Sequence, residues 1–219
     1  MVTTPDASRV DPCCAIVDFR QYTCQPGQRD TLIELFDREF VETQEKVGIH
    51  QVGQFRDLDR PDYFVWMRGF TDNAARGEAL AAFYGGPDWK AHARAANATM
   101  IDSDDVLMLR PVHLGEGYPR PDAPRSSGEP SLIVATILYT RDPDAVRPVV
   151  EPVPGAIAVL QTEPAPNTFP ALPVRADERV LVYLTRAGAE PAVTDELAPY
   201  LYRGTEQRRL EPTPRSQLR

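Results

Sequence analysis

Residues 63–112 open with YFVWMRGF (63–70), continue with TDNAARGEALAAFYGGPDWKAHARAANATM (71–100) and close with DVLMLRPV (105–112). The flanking runs are short and rich in β-branched and aromatic residues. The middle is longer, helical in composition and cut by Gly85-Gly86-Pro87, so the pattern predicts strand, broken helix, strand. Asp72 or Asn73 can cap the first helical segment. On the second, Asp88 to Met100, Trp89, Ala93, Ala96 and Met100 share a face. Both tryptophans of the chain, Trp66 and Trp89, fall in this stretch, as does His92, one of three histidines.

Upstream, CAIVDFRQYTC (14–24) predicts a strand and Pro26-Gly27 a turn. From Arg29 to Gly48, Leu32, Phe36, Phe40 and Val47 recur at helical spacing, and Gly48 is placed to end the helix. Phe36 and Phe40 are expected against the sheet. HQVGQFRDL (50–58) predicts another strand, completing a βαββαβ order, the ferredoxin-like split βαβ.

Residues 113–130, dense in Pro, Gly and Ser, have linker composition, and residues 1–12 read as a disordered tail. The second half repeats the order in degenerate form. SLIVATILYT (131–140) is apolar on both faces and needs cover on both. DPDAVRPVVEPVPG is a proline-truncated helix, AIAVLQTE and RVLVYLTRA are strands, TDELAPYLYRGTEQRRL (194–210) reads as a helix broken near Pro199, and RLEPTPRSQLR offers only a poor last strand. The expectation is an α+β chain of two tandem ferredoxin-like units, 13–112 and 131–219, packed sheet to sheet.

Composition excludes several classes. The net charge of −8 opposes a nucleic-acid surface. No apolar run approaches the roughly 20 residues of a membrane helix, and the first residues lack a signal peptide's basic start and apolar core. With three cysteines, two of them adjacent and poorly placed for a bridge, reduced thiols and a cytoplasmic location are expected.

FRQYTCQPGQRDTLIELFDREFVETQEKVG (19–48), VGQFRDLD (52–59), YFVWMRGF (63–70), FYGGPDWKAH (83–92) and ANATMIDSDDVLMLRP (96–111) occur in order, and together they resemble the NIPSNAP family. The resemblance spans roughly residues 14–112; beyond them only the order of elements is similar. It implies a dimeric-type α/β barrel in which two ferredoxin-like sheets close on each other, here within one chain. A homodimer through an outer surface is left open. Related barrels include cofactor-free monooxygenases, haem enzymes and small-molecule isomerases.

Alternate residues of a strand share a face, which groups Asp18, Arg20 and Tyr22 on the first strand and Phe64, Trp66 and Arg68 on the third. These strands are central neighbours in the split βαβ. Asp18, Arg20, Tyr22, Trp66 and Arg68 are assigned to the barrel interior, where arginines and aromatics suit a planar anionic or phenolic ligand. Tyr84, Trp89 and His92 lie near the helix break and are placed at the pocket mouth. Candidate catalytic groups are His92, Tyr22 and Arg68, and candidate substrate-binding groups are Asp18, Arg20, Trp66, Tyr84 and Trp89. His50 and His113 are weaker candidates. The competing reading is an Asp–Arg network that only fixes the barrel.

No CxxC, HExxH, GxSxG, Walker or dinucleotide motif occurs. Asp102, Asp104 and Asp105 read as a solvated turn, and no metal is assigned. The resemblance, with the arginines and aromatics above, implies an enzyme of oxygenase, isomerase or lyase type without a cofactor, acting on a small aromatic or anionic metabolite. The alternatives are a non-catalytic binding or scaffold protein, or a barrel holding haem through His92.

Overall fold

The computed structural model describes residues 13–112 and 130–219. The expected tail (1–12), almost all of the expected linker and His113 lie outside the described residues.

The first unit comprises β1 (Ile16–Cys24), a helical run, β2 (His50–Asp57), β3 (Tyr63–Phe70), α3 (Asn73–Gly85), α4 (Pro87–Ala98), the short β4 (Met100–Asp102) and β5 (Val106–Pro111). The helical run is α1 (Arg29–Leu35), a π turn (Phe36–Phe40) and α2 (Val41–Glu45), where one continuous helix was expected. Phe36 and Phe40, four residues apart on one helical face, both bury against the sheet, at 4% and 3% exposure. Gly48 follows with φ of +88°, the left-handed conformation that stops a helix. Asp72 caps α3 by accepting from the Ala75 amide, and Pro87 opens α4 after the break at Gly86.

The second unit comprises β6 (Ile133–Tyr139), α5 (Pro143–Val150), β7 (Ala156–Thr162), β8 (Val180–Arg186), a 3-10 turn (Asp195–Tyr200) and β9 (Glu206–Pro212). The helix expected over 194–210 is therefore a correction. Pro199 offers no amide to a helix, and residues 206–210 are used as strand. β9 pairs with β6 on one side (Ile133↔Leu210) and with β2 on the other (Phe55↔Pro212). Left helical, that stretch would expose the edges of both sheets.

The strands run β3-β2-β9-β6-β8-β7-β5-β1, and β1 pairs back to β3, closing an eight-stranded antiparallel barrel. Within each unit the order is the split βαβ order. The seams are β2–β9 and β5–β7, the second pairing Leu109↔Thr162 and Pro111↔Leu160.

A barrel of this size has an interior just wide enough for side chains. Val17, Phe19, Val65, Met67 and Leu109 fill it from the first unit, with Ile133, Ile137, Leu160, Val182 and Leu210 from the second. The helices pack outside. On the first unit they cover Tyr22, Phe64, Trp66, Phe70 and Met108. On the second, α5 and the 3-10 turn cover Leu138, Leu181 and Tyr183. The face assigned to the barrel interior is thus the wrong one: Asp18, Arg20, Tyr22, Trp66 and Arg68 lie on the outer, helix-covered face. The reason is supply of partners. The interior is mostly apolar and its few polar groups, Gln21, Asp57, Glu206 and Arg208, partner one another, whereas α3 and its neighbouring loops bring polar groups to the outer face.

Cys13 and Cys14 form a disulfide, against the expectation of reduced thiols, with Cα atoms 3.8 Å apart. Room for it comes from Gly69, where an added Cβ would lie 2.1 Å from Cys14 Sγ. Cys24 is the free thiol among the described residues, and burial pushes it up to about 11. No helix among the described residues is long and apolar enough to cross a membrane.

Candidate functional site

The register that makes β1 and β3 neighbours sets Asp18 opposite Arg68 and Arg20 opposite Trp66. Helix α3 lays a stripe of Arg76, Ala79, Leu80 and Phe83 on the same surface. Asp18 thereby meets three guanidiniums. Arg68 Nε donates to Oδ2 at 3.0 Å, Arg76 Nε donates to Oδ1 at 2.8 Å, and Arg20 Nη1 stands 3.9 Å from Oδ2. All four residues are fully buried. Among the described residues no second carboxylate pairs with these arginines, so the cluster carries an excess of positive charge. Burial alone would push the Asp18 carboxyl up, but Arg68, Arg76 and Arg20 together hold it below the ordinary value.

The remaining donors reach neutral oxygens. Arg20 Nε donates to the Tyr22 hydroxyl at 2.9 Å and Arg20 Nη2 to the Ser103 carbonyl at 3.2 Å. Arg68 Nη1 donates to the Tyr84 hydroxyl at 3.3 Å, and Arg76 Nη1 to Asn167 Oδ1 at 2.8 Å. The Arg20 and Arg68 guanidinium carbons also lie 5.6 and 5.1 Å from the Trp66 ring. Since Tyr22 and Tyr84 accept from guanidiniums, each keeps its own hydroxyl proton to give. Burial raises the Tyr22 phenol against the pull of Arg20, so at neutral pH it is a proton donor rather than a phenolate.

Both tyrosines line a chamber between the sheet and the helices. Its other walls include Trp66, Phe36, Phe40, Phe83 and Trp89, with Gln44 among them. The free space is about 30 Å³, enough for one or two waters. Trp66 Nε1 and Gln44 Oε1 are buried without hydrogen-bond partners among the described residues, whereas Arg68 Nη2 stands 3.0 Å from Asp18 Oδ2. A buried donor or acceptor left unmade is costly, and a chamber edged by two of them is prepared for a polar occupant.

Of the residues singled out from sequence, the structure gathers Asp18, Arg20, Tyr22, Trp66, Arg68, Tyr84 and Trp89 around this chamber and its charged floor. His92 stands apart. It is absent from the chamber lining, and its Nε2 lies 3.3 Å from Glu39 Oε2 on the half-exposed outer side of the helices. A haem does not fit, since the chamber has no room for a porphyrin and His92 does not face it. His50 opens β2 opposite Gly69, outside the chamber.

Sequence reading missed Arg76, Gln44 and Asn167. Arg76 had a signal: it occupies a core position in the apolar stripe of α3, where an arginine survives only if paired. Asn167 had none, because it comes from the other unit.

Residues 17–115 match the NIPSNAP family model. This segment is a NIPSNAP domain. No curated protein matches the chain. Among solved structures, a NIPSNAP family protein of Agrobacterium tumefaciens is 20% identical over 46% of this chain and 95% of its own, with a TM-score of 0.42. Two structures align along almost the whole molecule, each over 90% of this chain and 91% of its own. A candidate monooxygenase of Fusobacterium nucleatum has a TM-score of 0.56 at 9% identity. An anthrone oxidase-like protein has a TM-score of 0.52 at 15% identity. At such identities the likeness is one of fold. The NIPSNAP match ends where the first unit ends, and the full-length likeness covers the closed barrel.

Proposed function

We propose that this protein binds a small planar aromatic molecule bearing an ionisable oxygen in the chamber behind the NIPSNAP sheet and acts on it without a cofactor. The observation that carries the reading is the charge excess of Arg20, Arg68 and Arg76 over Asp18, relayed to the chamber through two phenols. A ring seated against Trp66 and Phe36 would place its oxygen at the Tyr22 and Tyr84 hydroxyls. As that oxygen gains negative charge, the two phenols donate to it and the guanidiniums behind them stabilise the anion in a low-dielectric site. An enolate or phenolate held this way is the electron-rich species that cofactor-free oxygenase, isomerase and lyase chemistry share. The candidate monooxygenase and the anthrone oxidase-like protein are compatible with this class by fold alone.

The test uses 4-nitrophenol, whose phenolate is coloured. Saturable binding should lower its apparent pKa by about one unit, roughly 1.4 kcal/mol of preference for the anion. Both tryptophans border the chamber, so binding should also quench intrinsic fluorescence. Arg68→Met, which keeps bulk and removes charge, and Tyr22→Phe should each abolish the pKa shift. The absence of any saturable change in absorbance or fluorescence would refute the reading.

The small free volume favours a second reading, in which the cluster only ties α3 to the sheet. Under it Arg68→Met alters stability and nothing else.

A further inference from the structure

The connection between β2 and β3 in the first unit is the short turn 58–62, whereas its counterpart between β7 and β8 is the long segment 163–179. The long segment does not stay with its own unit. Residues 166–169 lie on α3 of the NIPSNAP unit, and the amides of Glu163 and Arg175 on either side donate to β5. Asn73 Nδ2 donates to the Pro166 carbonyl at 2.9 Å, and Thr168 Oγ1 donates to the Asn73 carbonyl at 2.9 Å. The Arg175 amide donates to the Val106 carbonyl at 2.8 Å.

Its tip reaches the chamber. Asn167 Oδ1 takes the third guanidinium, Arg76, and also the Phe169 amide at 3.0 Å, which sets the direction of Phe169. The Phe169 ring then stacks on Tyr84 with centroids 5.9 Å apart and planes 21° apart. Tyr84 is a wall of the chamber and the acceptor for Arg68. Close approach of the loop is built into α3 as well, since a Cβ added at Gly77 would meet the Thr168 Cβ at 3.0 Å.

We infer that segment 163–179 is a gate supplied by the second unit to the first unit's chamber, with Phe169 as the residue that must leave Tyr84 before a ring-sized molecule enters. The inference deepens the aromatic-binding reading and shares its site. Space of about 30 Å³ admits water and excludes a benzene ring, so a ligand of that class needs a moving wall. The Phe169–Tyr84 stack is the candidate: Phe169 is half-buried and sits on a loop, whereas Trp66, Phe36 and Phe40 are held in the core.

The test needs no affinity for the chamber and so separates the gate from the proposed chemistry. Acrylamide, a collisional quencher small enough to pass an open gate, is titrated against the fluorescence of Trp66 and Trp89. Phe169→Ala removes the gate's ring, and Gly77→Leu wedges the loop away from the opposite side without touching the chamber wall. Each should raise the quenching constant at least about twofold over wild type while the thermal melt stays cooperative. If Phe169→Ala does not fold, Phe169→Leu replaces it. Quenching constants unchanged in folded variants of both positions overturn the gate, whatever 4-nitrophenol does. A raised constant with no 4-nitrophenol binding keeps the gate and removes the aromatic reading.

Discussion

The two halves of the barrel answer the same packing problem in different ways. On the outer face of the first unit, the β1–β3 pairs are Asp18↔Arg68 and Arg20↔Trp66, a buried charged floor beneath an aromatic chamber. On the outer face of the second unit, the β6–β8 pairs are Val134↔Thr185, Thr136↔Tyr183 and Leu138↔Leu181, with α5 and a 3-10 turn packed directly on them. One unit therefore stores electrostatic energy at a site, and the other is mostly apolar packing. Polarity beyond what the fold needs marks the first unit as the place to look for chemistry.

The sharpest way to break this contrast is Asp18→Asn. It leaves three buried guanidiniums without their carboxylate and is expected to cost about 3–5 kcal/mol, read by chemical denaturation, or to prevent folding. The same group sets an acid limit. Its folded pKa lies below the unfolded value, so its contribution is complete above about pH 4 and is lost as pH falls through the folded pKa. Wild type should accordingly lose melting temperature on acidification below that range.

Comparable in size, Phe36→Ala or Phe40→Ala should each cost about 3–5 kcal/mol without threatening folding through an unpaired charge, the usual loss for a buried aromatic. A loss under about 1 kcal/mol for both would mean that the chamber walls are loosely packed.

The smallest effect is expected in the second unit. Thr136→Val, at the position paired with Tyr183, should change stability by about 1 kcal/mol or less and leave 4-nitrophenol binding untouched. A large effect there would erase the distinction between the halves.

Much of the fold was legible because it rests on local rules. Gly48, Asp72 and the Gly86–Pro87 break act through their own backbone, and β1 and β3 announce themselves by composition. The partnership of Asp18, Arg20, Trp66 and Arg68 followed from strand alternation. Which side of the sheet they faced did not, because alternation groups residues without saying which face is the barrel's inside, and both faces here are covered. The strand β9 was hidden for a different reason. Residues 206–210 carry helix-compatible composition, and only the two open sheet edges, β2 and β6, make them a strand. Asn167 and Phe169 were illegible in principle, since their role depends on a loop crossing between units.

The seams β2–β9 and β5–β7 join parts of a single polypeptide, and this removes a constraint that symmetric assemblies live under. In a barrel made from two copies of one chain, every substitution appears twice. A longer β2–β3 connection would cover both chambers, and a charge placed under one set of helices would be placed under the other. Here each half is encoded once. One half can keep an acid and two arginines on its central strands while the central strands of its counterpart carry valine, threonine, leucine and tyrosine on the same face. One connection can lengthen to residues 163–179 while the other stays at 58–62. Fusion of the halves gives the barrel two independently variable faces.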